Sequence, residues 1–251
     1  MIPLFSAQGA AALRKLAAGR PLLAFDFDGT LAPLAAHPED VRFPERTRLL
    51  LERLNALTPV AIVSGRSRAA VLAFFPRPPA FVIGNHGMEG LPSDVAGKDA
   101  VGTCTVWKTR LTPLLQGTDA WMEDKTLSFS VHSRDAGFLS RIGATVTENA
   151  SSLPPLRVLP GKACVNLLPR GAPSKADAVL TLRKLTGCGC VLFVGDDLTD
   201  EDVFALEDPR ILTVRVGPGP SRAAYALGKQ EDVEQLLETL VTLLQGTGHR
   251  A

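Results

Sequence analysis

Short apolar runs, each closed by a polar cluster, set the rhythm of this chain. Residues 22–25 lead into Asp26-Phe27-Asp28-Gly29-Thr30-Leu31, and residues 60–63 into Ser64-Gly65-Arg66-Ser67. Residues 81–83 lead into Gly84-Asn85-His86-Gly87, and residues 191–194 into Gly195-Asp196-Asp197. Runs of three or four apolar residues without alternation predict strands buried on both faces. Between them the apolar period lengthens to that of a helix, at residues 10–18, 47–57, 68–75 and 174–185. In the second of these Leu50, Leu54 and Leu57 share a face. Residues 211–216 and 233–244 predict a last strand and a last helix. Thr199 is expected to cap a helix whose first turn carries Asp200, Glu201 and Asp202. Strands alternating with helices predict an α/β fold with a parallel sheet.

The pattern changes near residue 90. Residues 103–107 and 127–132 alternate in the manner of half-buried strands. In the second, Leu127, Phe129 and Val131 point one way, and Ser128, Ser130 and His132 the other. Residues 138–149 have a helical period, and residues 156–159 and 163–168 predict a hairpin about Pro160-Gly161. The earlier pattern resumes near residue 170. The expected organisation is a core of residues 1–90 and 170–251, interrupted by a smaller α/β unit, residues 91–169, built on an antiparallel sheet.

Composition narrows the function. A net charge of +1 over 251 residues gives no broad basic face for nucleic acid and no acidic tail. The hydrophobic share, 45%, is that of a globular protein with a real core. No apolar run is long enough to span a membrane, and the N-terminus lacks a secretory pattern, so the cytoplasm is expected. Cys104, Cys164, Cys188 and Cys190 lack zinc spacing, and Cys188-Gly-Cys190 reads as small buried or loop residues.

In a parallel sheet the polar clusters at the strand ends share one edge, where such folds build their sites. That edge collects Asp26, Asp28 and Thr30, then Ser64 and Arg66, then Asn85 and His86, then Asp196, Asp197 and Asp200. Lys175 joins them at the start of its helix. Taken singly, the signals are weak. An Asp-x-Asp-Gly is often only an Asx turn, and a lone lysine is usually solvated. Their joint order along the chain is the informative part. Clustered carboxylates repel one another, and a divalent cation resolves the repulsion. Oxygen donors without His or Cys favour Mg²⁺, completed by substrate phosphate. With the phosphoryl charge neutralised, one carboxylate can attack phosphorus while a second, two residues on, moves the proton. Asp26 and Asp28 suit that division.

These segments resemble the motifs of the haloacid dehalogenase-like (HAD) superfamily: Asp26 to Leu31, Ser64-Gly65-Arg66, Lys175, and Gly195-Asp196-Asp197-Leu198-Thr199-Asp200-Glu201. A narrower resemblance is to trehalose-6-phosphate phosphatases. It rests on Gly84-Asn85-His86-Gly87-Met88-Glu89, Glu123-Asp124-Lys125, the strand ending at His132, Gly161-Lys162 and Pro169-Arg170-Gly171. The resemblance implies a Rossmann-like HAD core with an inserted α/β cap of the C2 type. It implies Asp26 as nucleophile, Asp28 as general acid/base, and Asp26, Asp28 (through its carbonyl) and Asp196 as Mg²⁺ ligands. Thr30, Ser64 and Lys175 would hold phosphate, and Asp197 and Asp200 would support the metal shell. Arg66, Asn85 and His86 from the core, with Glu123, Lys125 and Asn166 from the cap, would contact the sugar. His132 and Arg134 are further cap positions. The partner would be a small sugar phosphate, and a monomer is expected.

Three positions depart from the family pattern. Asn166 stands where a sugar-contacting glutamate is usual, Ser133 where a tyrosine is, and Ala176 where a glycine is. The first leaves open another glycosyl phosphate, of the sucrose phosphate or mannosyl-phosphoglycerate type. A sensor without catalysis would be expected to lose Asp26, Asp28, Lys175 or Asp196, and all four are present. A phosphoryl transferase would share the chemistry and differ in its product.

Overall fold

The computed structural model describes residues 1–35, 37–92 and 99–247. Seven parallel strands form the main sheet, in the order β1-β11-β10-β9-β2-β3-β4. Its centre is β9 (Cys190–Gly195), β2 (Pro21–Phe25) and β3 (Val60–Val63), with β4 (Phe81–Ile83) at one edge. On the other side lie β10 (Ile211–Val216), β11 (Tyr225–Leu227) and β1 (Ile2–Pro3). Every residue of β2 is buried, because successive side chains enter opposite cores. Leu23 and Phe25 meet α1 (Ala7–Ala18), α2 (Glu45–Asn55) and α8 (Asp232–Gly246). Leu22 and Ala24 meet α6 (Lys175–Thr186) and α7 (Glu201–Phe204). This two-sided cover explains the unbroken apolar runs.

A second sheet, antiparallel, has the order β5-β6-β8-β7. Its strands are β5 (Trp121–Asp124), β6 (Phe129–His132), β7 (Leu156–Gly161) and β8 (Cys164–Pro169). One face packs Phe129, Val131, Val165 and Leu167 against α4 (Ala100–Leu115) and α5 (Ala136–Glu148). The other face carries the polar residues.

Four expectations need correction. Residues 103–107 are helical, inside α4, where Cys104, Trp107 and Leu111 recur at helical spacing and are buried together. Three β-branched residues at 103, 105 and 106 mimic a strand, but packing overrides that propensity. The hairpin turn falls at Lys162 and Ala163, the latter at φ 53°, so Pro160 and Gly161 belong to β7. Asp197, not Thr199, stands at the head of its helical turn, and the Asp200 carboxylate accepts from the Asp197 amide at 2.9 Å. The short strand β5 was not foreseen, since Met122 alone of its residues packs on the apolar cluster.

Candidate active site

Asp26 follows the last residue of β2, the strand paired on both sides in the middle of the sheet. The chain then turns through Gly29 at φ 80°, where a Cβ would lie 2.2 Å from the Asp196 carboxylate. Glycine is required there by both conformation and space. The tight turn brings the ends of β2 and β9 together, and Thr30 donates to Asp196 Oδ1 at 3.1 Å. Thr30 is buried behind that carboxylate rather than facing open space.

Lys175 is the first residue of α6. Ser174 caps that helix, with Asp177 completing a reciprocal capping box. The cap fixes where the lysine emerges. Its Nζ donates to Asp26 Oδ1 and to Asp200 Oδ1, both at 2.7 Å, and the side chain is 2% exposed. Asp200 Oδ2 accepts from the Asp196 and Asp197 amides at 2.9 Å each. Both Asp200 oxygens are therefore engaged, and the residue organises the loop after β9.

One carboxylate oxygen from each of Asp26, Asp196 and Asp200 lies within 4.8 Å of the other two. Burial raises the Asp26 carboxyl well above its ordinary range; Lys175 opposes this, and Asp200 and Asp196 reinforce it. Burial and Asp200 push Asp196 up as well, against the pull of Lys162. Burial would lower Lys175, but Asp200 and Asp26 outweigh it and hold the ammonium above the usual lysine range. Burial drives the two carboxyl shifts and the neighbouring acids drive the lysine's, while the one buried ammonium, Lys175, is shared among three buried carboxylates and Lys162 reaches only Asp196. The cluster has a deficit of positive charge, which fits a hard divalent cation. Asp200 Oδ2 accepts two backbone bonds and its Oδ1 the Lys175 ammonium, whereas Asp26 Oδ2 accepts none from the described residues and Asp196 is held by the more exposed Lys162 and by Thr30.

Asp28 turns its carboxylate away from this cluster. Arg66 grips it with two bonds, Nε to Oδ2 at 2.6 Å and Nη2 to Oδ1 at 2.7 Å. The guanidinium rests over Phe27 and Phe74, 5.8 and 5.7 Å from the ring centroids, and Nη1 donates to the Pro38 carbonyl at 3.1 Å. Arg66 is thus bound to the acid. Ser64 Oγ accepts from the Arg66 amide at 3.1 Å and borders the cavity.

Asn85 and His86 both adopt left-handed backbone, at φ 49° and 58°. Their amides donate to the carbonyls of Arg66 and Ser64, at 2.7 and 2.9 Å, stitching the loop after β4 to the loop after β3. His86 lies against Gly65, where a Cβ would approach the ring to 2.6 Å. Both His86 ring nitrogens are buried and make no hydrogen bond of good geometry, although Asn166 lies near enough to act on the ring, which borders the cavity. Burial, then the charges of Lys125 and Lys175, hold its pKa well below the ordinary value, so the imidazole is neutral. Asn85 does not border the cavity. It is fully buried, donates to the Lys125 carbonyl at 3.1 Å and accepts from Ser128, tying the main sheet to the second one.

The second sheet supplies the opposite wall. Glu123, Lys125 and Asn166 all border a cavity of about 620 Å³ shared with Asp26, Asp28, Lys175 and Asp196. Burial would raise Glu123, but a hydrogen bond from His132 at 3.0 Å and the Lys125 ammonium at 3.5 Å hold it below the ordinary carboxylate range. Asn166 Oδ1 accepts from Ser130 Oγ at 2.7 Å. Asp197 and Arg134 also border the cavity, Arg134 with its side chain largely in solvent.

Two residues to which the sequence assigned no role take part. Lys162, on the β7–β8 turn, reaches across to Asp196 Oδ2. Trp121 stands two residues before Glu123 on β5 and lines the same wall. Strand alternation from Glu123 is the signal that would have found it.

The sequence profile of the trehalose-phosphatase family matches residues 24–216. A trehalose-6-phosphate phosphatase of Escherichia coli is 31% identical over 236 residues, covering 88% of this chain and 86% of that protein. A bifunctional trehalose-6-phosphate synthase/phosphatase of Thermoproteus tenax is 30% identical, covering 89% of this chain and 32% of that longer protein. Among solved structures, the C-terminal domain of a C. albicans trehalose-6-phosphate phosphatase superposes with a TM-score of 0.78 at 21% identity. It covers 98% of this chain and 99% of that one, a likeness of fold.

Proposed function

Since this chain belongs to the trehalose-phosphatase family and is a phosphoric monoester hydrolase, we propose that it hydrolyses trehalose 6-phosphate to trehalose and phosphate, serving trehalose biosynthesis. The observation that carries this reading is the buried Asp26–Lys175–Asp200 arrangement beside Asp196, opposite the polar wall of the second sheet.

In this reading Asp26 attacks phosphorus in line and forms an aspartyl-phosphate. Lys175 and the Ser64 hydroxyl hold the phosphoryl oxygens, and Thr30 steadies Asp196 from behind. Asp28 gives its proton to the departing sugar oxygen, then takes one from the water that hydrolyses the intermediate. Arg66 fixes the plane of the Asp28 carboxylate, and each oxygen keeps a second lone pair for the proton. Asp26 and Asp196, with the Asp28 carbonyl, would hold Mg²⁺, whose charge lets an anionic phosphate approach a carboxylate. Residues 91–169 act as the cap, where Glu123, Lys125 and Asn166 read sugar hydroxyls while the His86 ring borders the cavity from the core. Free thiols at all four cysteines suit the cytoplasm.

One observation favours a second sugar. Asn166 is neutral and its oxygen is taken by Ser130, so it presents an amide group where the family presents a carboxylate. Phosphate release from trehalose 6-phosphate, sucrose 6-phosphate and glucose 6-phosphate, with and without EDTA, separates the readings. Preference for trehalose 6-phosphate, silenced by EDTA and restored by Mg²⁺, is expected. Preference for sucrose 6-phosphate overturns the substrate, and activity in EDTA overturns the metal.

A further inference from the structure

Trp121 stands in the cavity wall although the core of its own sheet does not use it. On β5, Met122 turns to the apolar cluster under α4 and α5, whereas Trp121 and Glu123 turn to the cavity. Directly across on β6 is His132. The two rings are stacked, 4.1 Å apart and 6° from parallel, and Glu123 holds His132 Nε2 at 3.0 Å. The indole is therefore fixed by a neighbour that is itself fixed, and has little rotamer freedom left to lose on binding. On the opposite wall, the His37 ring stands 5.8 Å away, tilted by 37°. His37 is exposed, and Leu34 and Pro38 of its loop also border the cavity.

The sheet register places this platform relative to the strand end next to Lys162. Gly161, Cys164, His132 and Trp121 form one transverse row across β7, β8, β6 and β5. Gly161 precedes Lys162, which touches Asp196. Three strand spacings, about 14 Å, separate Gly161 from Trp121. Glu123, Ser130 and Asn166 make the neighbouring row. The wall thus runs from a charged end, past hydrogen-bonding groups, to an aromatic end.

We propose that Trp121, backed by His132, is the platform for the sugar ring farther from the phosphate, a hexopyranose laying its C–H face on the indole where His37 now stands. The proposal rests on the reading of the substrate as a disaccharide phosphate. A pyranose carries hydroxyls on its rim and C–H groups on its faces. Stacking removes apolar area of both partners from water, while Glu123 lies beside the ring to meet the rim. On this proposal a monosaccharide phosphate leaves the indole uncovered, so Trp121 selects for length.

The test is kcat/KM for trehalose 6-phosphate and glucose 6-phosphate in the wild type, Trp121→Ala and Trp121→Phe. Trp121→Ala should lower the trehalose 6-phosphate value about tenfold more than the glucose 6-phosphate value, chiefly through KM, and Trp121→Phe should recover most of it. Titrating the wild type with trehalose should change the tryptophan emission, because Trp107 is fully buried. Trp121→Phe should abolish that change, a readout independent of turnover. A wild type that prefers trehalose 6-phosphate, paired with equal losses on both substrates in Trp121→Ala, overturns the platform alone. A wild type with no preference overturns the disaccharide reading and the platform with it. Unchanged emission at trehalose concentrations that inhibit turnover also overturns the platform.

Discussion

Replacing Lys175 by methionine keeps the length and apolar stem of the side chain and removes its charge. The capping box of α6 uses Ser174 and Asp177, so helix initiation is untouched. What is lost is the shared partner of Asp26 and Asp200, two contacts of 2.7 Å made by an ammonium that is 2% exposed. Removing one member of a buried pair strands the remaining charge, at a cost of about 3–5 kcal/mol. For a chain of this size each kcal/mol moves Tm by about 2–4 °C, so Tm in EDTA should fall by about 6–20 °C. Differential scanning fluorimetry measures this directly. The exposed Arg46–Glu238 pair, with side chains 67% and 44% exposed, is the control, and its removal should move Tm far less. Mg²⁺ should then raise the Tm of Lys175→Met more than that of the wild type, because the cation replaces the missing charge. Turnover should stay low by a factor of about 10²–10³, since the phosphoryl oxygens lose a fixed cation. A fall of under about 3 °C in EDTA would refute the view that the Lys175 ammonium holds Asp26 and Asp200 together.

Asp26→Asn should abolish phosphate release with an unchanged circular dichroism spectrum; retained turnover would sink the nucleophile assignment. Burial pushes the Cys104 and Cys164 thiols up to about 11, so little thiolate exists at pH 8. Iodoacetamide should modify both about a hundredfold more slowly than a free cysteine, and mass spectrometry of the labelled protein would show otherwise. Glu123 has a depressed carboxyl in the folded protein. Its contribution is full above the ordinary glutamate value and fades only as pH falls through the lowered one. KM for the sugar should therefore owe nothing to Glu123 titration between pH 5 and 8, and Glu123→Ala should raise KM for trehalose 6-phosphate more than for an aryl phosphate. Equal changes on both substrates would mean that Glu123 does not read the sugar.

What the sequence could and could not show follows the range of the interactions. Strands β2, β3, β4 and β9 are legible because two-sided burial leaves no polar side chain in them, and the clusters after them are legible because strand ends are local; β1 and β11, of two and three residues, are too short to leave a pattern. The helix α4 was misread because Thr103, Thr105 and Val106 carry β propensity, while the contacts that make it a helix involve β6 and β8. Strand β5 hid behind its own polarity. The grip of Arg66 on Asp28, 38 positions away, and the reach of Lys162 to Asp196, 34 positions away, leave no local pattern. Asn85 was expected to contact the sugar, but its partners, Lys125 and Ser128 in the turn between β5 and β6, lie 40 or more positions along the chain. Such pairings are decided by where folded loops meet.

The antiparallel sheet keeps its two jobs apart by alternation. Phe129, Val131, Val165 and Leu167 anchor it, and Ser130, His132, Cys164 and Asn166 face the substrate side. Inserting or deleting one residue within β6 or β8 would exchange those roles wholesale, turning grease toward the sugar and hydroxyls into the packing layer. Length is thus frozen inside these strands, while the substrate-side positions are bound to one another, Ser130 to Asn166 and His132 to Glu123 and Trp121. Changes on the substrate side therefore come in coupled pairs across neighbouring strands, while the apolar layer beneath stays as it is.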